Sequence, residues 1–396
     1  MAYFIVMINK SYINIIVIDQ EYNSANHKFL WREVADQSGF LTIVVNIPAD
    51  FVLSIFCKKT YRIKEARENV RRIGKNYYVQ RPLYLIRQEI LPLSVVTSSS
   101  YKKHAQHMFW KQIRQIVPDM EGKKINILCY SAMWVDLLYG SMPNMKIIYY
   151  LYDEVRKSED GTDDKRRTFF DIEACKKSDY ILAMSAKLLE CRMEQKDKIY
   201  VIGNGASQQV FSPLTSEPHR IPKSFGVIGN IRNWIDEDLL ISLIKLRKDI
   251  LFVFAGNIEL SMQSFMQQVL KEENTVYLGK FTKEKVPYIY KLLEGVLVPY
   301  LSNDFIRATR PIKIVESVFA GVPVVTVPIT GYQPSSFIRF AEDVEEFSQA
   351  IDALLENPID IYSQDYRSFV RDNSWEYKAG QINSIFMELH TTNHTV

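Results

Sequence analysis

Cysteine is scarce: the chain has four in 396 residues, Cys57, Cys129, Cys175 and Cys191, at no regular spacing. That scarcity excludes a disulfide framework, and Cys129 lies in an apolar run that reads as a buried strand, so a reducing cytoplasm fits better. Long apolar runs are missing too. Nothing approaches the roughly 20 residues that a membrane span needs, and the N-terminus has no basic segment, apolar run and small-residue cleavage site in succession. The expected location is the cytoplasm. No CxxC, P-loop or Gly-x-Ser-x-Gly pattern occurs, and Gly203-x-Gly205 lacks the third glycine of a dinucleotide fingerprint. His104-x-x-His107 has no further ligand nearby, which argues against zinc. Asp236-Glu237-Asp238 opens a helical pattern, where acidic residues are favoured without any metal. No metal and no cofactor is expected.

What is present is ordinary for a globular chain: 47% hydrophobic and 24% charged residues, in a length that suits two domains rather than one core. Charge is unevenly placed. Residues 58–114 hold fourteen Lys/Arg against three Glu and no Asp, a local net charge of +11 in a chain whose net charge is +3. Tyr61, Tyr77, Tyr78, Tyr84, Tyr101, Phe109 and Trp110 are interleaved with these charges. This composition suits an anionic membrane surface, each charge contributing about 1 kcal/mol near lipid, or else a solvated helical face. Nucleic acid is the less favoured partner.

Short β-branched runs alternate with longer helical stretches. Strands are predicted at 13–18, 41–45, 125–130, 146–151, 180–184 and 199–202, with helices at 26–37 and 165–177, and Ser185 as the cap of another. A segment with Gly203, Gly205, Pro213, Pro218 and Pro222 then breaks the pattern and reads as a linker. A second series follows: strands at 225–228, 251–255, 276–278, 295–298 and 324–327, and helices at 236–246, 282–293, 312–320, 342–355 and 375–389. Strand–helix alternation of this kind implies parallel sheets covered by helices on both faces, with ligands at the carboxyl ends of the strands.

The second half carries a specific signature. Pro311, Lys313 and Glu316 form P-x-K-x-x-E, followed by A-G-x-P-V-V over Ala320–Val325. This resembles the donor-binding motif of GT-B glycosyltransferases. Gly203-Asn204-Gly205 with Phe211-x-Pro213, Gly226-x-x-Gly229 before Trp234-x-Asp236, and Asn373-Ser374-Trp375-Glu376 resemble further elements of that family, in the family's order. Tyr149 through Glu154, ending Tyr152-Asp153-Glu154, is similar to a strand end in bacterial enzymes of exopolysaccharide and teichuronic acid assembly.

The resemblance implies two Rossmann-like domains facing across a cleft: an acceptor domain over 1–205, a donor domain over 206–370, and a C-terminal helix over 371–396 returning to the first. It implies transfer of a sugar from a nucleoside-diphosphate sugar, with UDP expected, to a saccharide acceptor that is lipid-linked or otherwise part of the cell envelope. A sugar-nucleotide epimerase and a non-catalytic sugar-nucleotide or glycan-binding protein are the alternatives.

Physical chemistry supports residue roles within that frame. The diphosphate needs cations and backbone amides, which Lys313 and Arg310 at a helix start can supply. Glu316, one turn on, suits ribose hydroxyls. Gly229 and Asn230 follow the first strand of the second series and can cradle phosphate, with Arg232 assisting. Gly279 and Phe281 are expected near the base, and Tyr300 and Ser302 near sugar and phosphate. By resemblance Asp153 is the general base. Glu21, Asn26, His27 and Lys28 follow the first strand and are candidates for acceptor contacts. Many retaining relatives place a second Glu eight residues before the one matched by Glu316. Ala308 stands there, which leaves stereochemistry open and leans toward inversion.

Overall fold

A computed structural model of the chain describes residues 9–19, 21–22, 27–46, 49–50, 64, 70–84, 91–157, 162–190, 192, 199–211, 220–303, 306–307 and 309–390. Asn26, Ala308, Cys57, Cys191, most of 51–69 and part of the linker lie outside these. The chain divides into two compact units, one of residues 1–184, 188–202 and 378–396, the other of 185–187 and 203–377.

The first unit is built on an eight-stranded sheet. Its strands are β1 (Asn9–Val17), β2 (Phe40–Val45), β4 (Val70–Arg72), β5 (Tyr77–Gln80), β7 (Lys124–Cys129), β8 (Met145–Leu151), β9 (Tyr180–Ala183) and β10 (Ile199–Val201). The order is β10-β9-β8-β7-β1-β2-β5-β4, and only β4 runs antiparallel to its neighbour. The two-residue strands β3 (Ala49–Asp50) and β6 (Leu83–Tyr84) pair separately. The helix after β1, Lys28–Ser38, stops at Gly39 because φ there is 65°, a left-handed value that favours glycine. Ser185 begins no α-helix; 187–190 forms a 3-10 turn.

Residues in the basic segment form β4, β5 and the helix Ser99–Ile113, which Ser98 caps by accepting from the Tyr101 amide. Periodicity alone missed β4 and β5 because each is short, β4 being Val-Arg-Arg and β5 Tyr-Tyr-Val-Gln. The central strands carry an unusual polar pair: Asn126 Nδ2 donates to Asn14 Oδ1 at 2.9 Å, and both are fully buried. His390 Nε2 lies 2.9 Å from Asn126 Oδ1, and Asn383 Nδ2 donates to Val34 O at 3.2 Å, so the end of helix Trp375–Glu388 and the turn after it complete this unit.

The second unit has six strands, all parallel: β11 (Ser224–Ile228), β12 (Leu251–Ala255), β13 (Thr275–Tyr277), β14 (Gly295–Val298), β15 (Val324–Thr326) and β16 (Ile338–Phe340). Their order, β13-β12-β11-β14-β15-β16, reverses direction between β11 and β14, as in doubly wound dinucleotide folds. Four phenylalanines, Phe225, Phe252, Phe254 and Phe319, are among its largest buried side chains, with Tyr290 and Trp375 beside them in that class. In the first unit the comparable positions are Trp31, Tyr77, Tyr130, Tyr149 and Tyr150, each carrying a polar tip.

Candidate functional site

In the second unit the turns after β11, β12 and β13 stack on one another. Gly229 donates its amide to Ala255 O at 2.8 Å, and Gly256 donates to Gly279 O at 3.0 Å. A Cβ on Gly256 would sit 1.8 Å from Gly229 O, and φ there is 139°, so this position accepts only glycine. The loops on either side of the switch point are stitched as well: Asp236 N donates to Pro299 O at 2.9 Å and Leu301 N to Trp234 O at 2.8 Å. Asp236 caps helix Glu237–Leu246 by accepting from Leu239 N, and Glu237 and Asp238 lie in the first turn of that helix.

Lys313 enters this assembly from the first turn of helix Ile312–Phe319. Its ammonium lies beside the Gly229 turn, where a Cβ would approach it to 3.2 Å, and 5.3 Å from the centre of the Tyr300 ring. Gly229, Lys313 and Tyr300 are therefore brought together at the switch point. Helix Ile312–Phe319 begins at Pro311 with no side chain capping its first amides, so the positive end of its dipole carries no side-chain acceptor. Asn230 is exposed at the turn beside Gly229.

Glu316 is half-buried one turn further on, with the Tyr290 hydroxyl donating to it at 3.4 Å. Burial pushes its carboxyl up to about 7, opposed by the charges of Lys283 and Lys313. Ser302 is exposed and accepts from Arg307 at 3.3 Å. Gly279, at φ 84°, faces open space, and Phe281 packs in part against the hydrophobic core.

Two arginines depart from expectation. Arg310 does not extend as a second diphosphate cation. Its guanidinium donates to Asn373 at 3.1 Å, covers the Tyr332 ring at 5.0 Å and rests on Gly203, where a Cβ would collide with it. Its carbonyl accepts from Asn204 at 3.0 Å, so Arg310 ties down the linker residues. Arg232 pairs with Glu259 and stacks on Trp234 at 4.8 Å.

In the first unit Asp153 is exposed just beyond β8 and accepts from the Glu154 amide at 2.9 Å. The loop that carries it is clamped. Arg156 and Arg192 both pair with the fully buried Asp171, at 2.6 and 2.9 Å, and Arg192 also pairs with Glu154 at 3.2 Å. Tyr149 donates to the other oxygen of Asp171 at 2.9 Å. Sequence reasoning missed this network, because its members are spread over more than forty residues. It also missed Asp19, just past β1, whose Oδ2 accepts from the Tyr152 hydroxyl at 2.7 Å. An acidic residue closing an apolar strand was the signal available.

The proposed acceptor contacts fare differently. His27 is not a loop residue open to a ligand: its ring is buried against Tyr130 and Tyr150, both with centroids 5.5 Å away. Glu21 pairs with the buried Arg81 at 2.5 Å, and the Lys28 ammonium lies 5.3 Å from the Phe29 ring centre. The structure does not gather these three around one point.

Residues 222–357 match the family described as glycosyl transferases group 1. A protein of Bacillus subtilis (strain 168) described as a teichuronic acid biosynthesis glycosyltransferase is 24% identical over 201 residues, which cover 47% of this chain and 50% of that protein. The match thus spans half the length of that relative. Among solved structures, sucrose-phosphate synthase from Thermosynechococcus elongatus superposes with a TM-score of 0.66 at 13% identity, covering 96% of this chain and 99% of that one. HepE of Anabaena, in complex with UDP, gives 0.62 at 13% identity, covering 95% and 99%. A variant of S. aureus TarM in complex with UDP gives 0.62 at 11% identity, covering 96% and 100%. The fold is GT-B. Among the described residues no helix is long and apolar enough to cross a membrane.

Proposed function

We propose that this chain, a GT-B protein whose residues 222–357 match the group 1 glycosyl transferases, is itself a glycosyltransferase that takes its sugar from a nucleoside-diphosphate sugar. One observation carries the reading: Lys313 stands beside the Gly229 turn at the switch point of a doubly wound sheet, where a diphosphate belongs. UDP is the favoured nucleotide, because HepE and TarM are each described in complex with it.

The proposed reaction is a displacement at the anomeric carbon. The acceptor oxygen forms its bond to that carbon as the bond to the diphosphate oxygen breaks. The nucleoside diphosphate leaves with the electron pair, and Lys313 with the helix amides meets the added charge. Asp153 takes the hydroxyl proton, a contribution of roughly 10²–10⁴ in rate. Glu316 accepts from the ribose hydroxyls. No bound metal is required in this scheme. The acceptor is a saccharide of the cell envelope, in line with the B. subtilis relative. Residues 58–114 would hold the protein on anionic lipid; of their described part, Leu93 and Val95 are exposed apolar side chains near the basic helix Ser99–Ile113.

Calorimetric titration with UDP, GDP and dTDP, with and without magnesium, tests the donor site. The expected result is magnesium-independent binding of UDP that Lys313→Ala weakens. Equal affinity in wild type and Lys313→Ala would remove Lys313 from the diphosphate site.

A further inference from the structure

Residues 185–187 aside, the chain enters the second unit at Gly203 and leaves it after Tyr377. The entering and leaving segments are bonded to each other: Ala206 N donates to Asn373 O and Trp375 N to Ala206 O, both at 3.0 Å. Gly205 lies so close to Trp375 that a Cβ there would stand 2.6 Å from the indole ring. Arg310 touches both segments. Its guanidinium donates to Asn373 Oδ1 at 3.1 Å and rests on Gly203, and its carbonyl accepts from Asn204 Nδ2 at 3.0 Å.

We propose that Arg310 is a positioning residue that ties the start of the Lys313 helix to these two segments, so that the donor site and the segments tighten or loosen together. The link itself stands on the contacts alone; its effect on nucleotide affinity rests on the reading of Lys313 as a diphosphate contact.

Three features support the link. Arg310 adjoins Pro311, which opens helix Ile312–Phe319, and stands three residues before Lys313, so no flexible spacer separates the two. The Arg310 side chain also braces that helix start. It lies 5.0 Å from the centre of the buried Tyr332 ring, and the Tyr332 hydroxyl donates to Pro311 O at 3.3 Å. A planar guanidinium can stack on a ring and donate from its edge at once, which an ammonium does poorly. Finally, the bonds close a circuit: Asn204 holds the Arg310 backbone, the Arg310 side chain holds Asn373, and the Asn373 carbonyl returns to Ala206 in the entering segment.

Coupling through such a contiguous set of contacts is reciprocal. A diphosphate that fixes Lys313 and the first helical amides also fixes Pro311 and Arg310, and through them Asn204 and Asn373. Slack in either segment reaches Lys313 by the same route.

The test is amide hydrogen exchange, resolved by residue, on the full chain in wild type, Arg310→Ala, Asn373→Ala and Asn373→Asp. The reporters are Ala206 and Trp375 in the two segments and Ile314, whose amide donates to Pro311 O at the helix start. Arg310→Ala and Asn373→Ala should each speed exchange at all three by about tenfold. Asn373→Asp keeps the acceptor for Arg310 but loses the donor that Asn373 Nδ2 offers to Phe369 O, so it should restore wild-type exchange only if the Arg310 contact is what matters. Asn373→Ala that frees Ala206 and Trp375 yet leaves Ile314 unchanged overturns the link. Calorimetry with UDP on the same variants reads the consequence: Asn373→Ala should weaken binding by roughly fivefold or more, and Asn373→Asp should recover it. Weaker binding in Arg310→Ala with unchanged affinity in Asn373→Ala would make Arg310 a direct diphosphate contact and overturn the proposal. A wild type that binds no UDP would remove the donor reading instead, and the exchange comparison would still decide the link.

Discussion

The two units solve the same problem with different materials. In the second, the proposed phosphate site rests largely on backbone: glycine turns stacked through amide–carbonyl bonds, beside a core rich in Phe, Val and Ile. In the first, the loop bearing Asp153 is held by side chains, through a buried Arg–Asp–Arg cluster and tyrosine hydroxyls that each need a specific acceptor or donor. Backbone sites depend on a few residue types at fixed spacing. Side-chain sites depend on partners that the fold brings together from distant positions.

Asp153→Asn tests the side-chain half most directly. Turnover should fall by roughly 10²–10⁴ with UDP affinity unchanged, read by steady-state kinetics beside calorimetry; near-normal turnover would send the base role elsewhere. Gly256→Ala tests the backbone half. Its Cβ has no room against Gly229 O, so thermal unfolding of the second unit should show a loss on the order of 3 kcal/mol, together with loss of UDP binding. An unchanged melting temperature would mean that the stacked turns can shift freely.

Lys313→Ala should cost about 1.5–3 kcal/mol of UDP binding, the scale of a charge-assisted hydrogen bond. The smallest effect concerns Glu316. Its carboxyl is raised to about 7, so it ionises as pH rises through neutrality, and its protonated form favours the folded state below that. If the ionised form accepts from ribose, UDP affinity should climb modestly between pH 6 and 8 on the order of twofold to threefold, and Glu316→Gln should flatten the curve. A pH-independent affinity in wild type would detach Glu316 from the ribose.

The contrast also explains what the sequence made legible. The strands of both sheets other than β4, β5 and β16, and the cluster of Gly229, Tyr300 and Lys313, could be read in advance, because strand periodicity, glycine turns and the P-x-K-x-x-E spacing are local. Proximity in sequence to Lys313 says nothing of where Arg310 turns; its guanidinium lies toward Asn373 and Tyr332. His27 misled because a helix start after a strand can face inward, here into a stack of Tyr130 and Tyr150 whose centroids are 4.5 Å apart. Asp19, Tyr152, Asp171 and Arg192 went unread because no single window contains them.

The polar seam of Asn14, Asn126 and His390 has a consequence in time. Residues 378–390 belong to the first unit but are synthesised only after all of 203–377. At ordinary translation rates that delay is on the order of ten to thirty seconds. Through that interval the nascent first sheet has Asn126 without its histidine neighbour and the Ile202 carbonyl without the Lys378 ammonium that later donates to it. The unit that leaves the ribosome first is therefore the last to be finished, and a stalled or truncated message would release the second unit attached to a first unit that lacks residues 378–390.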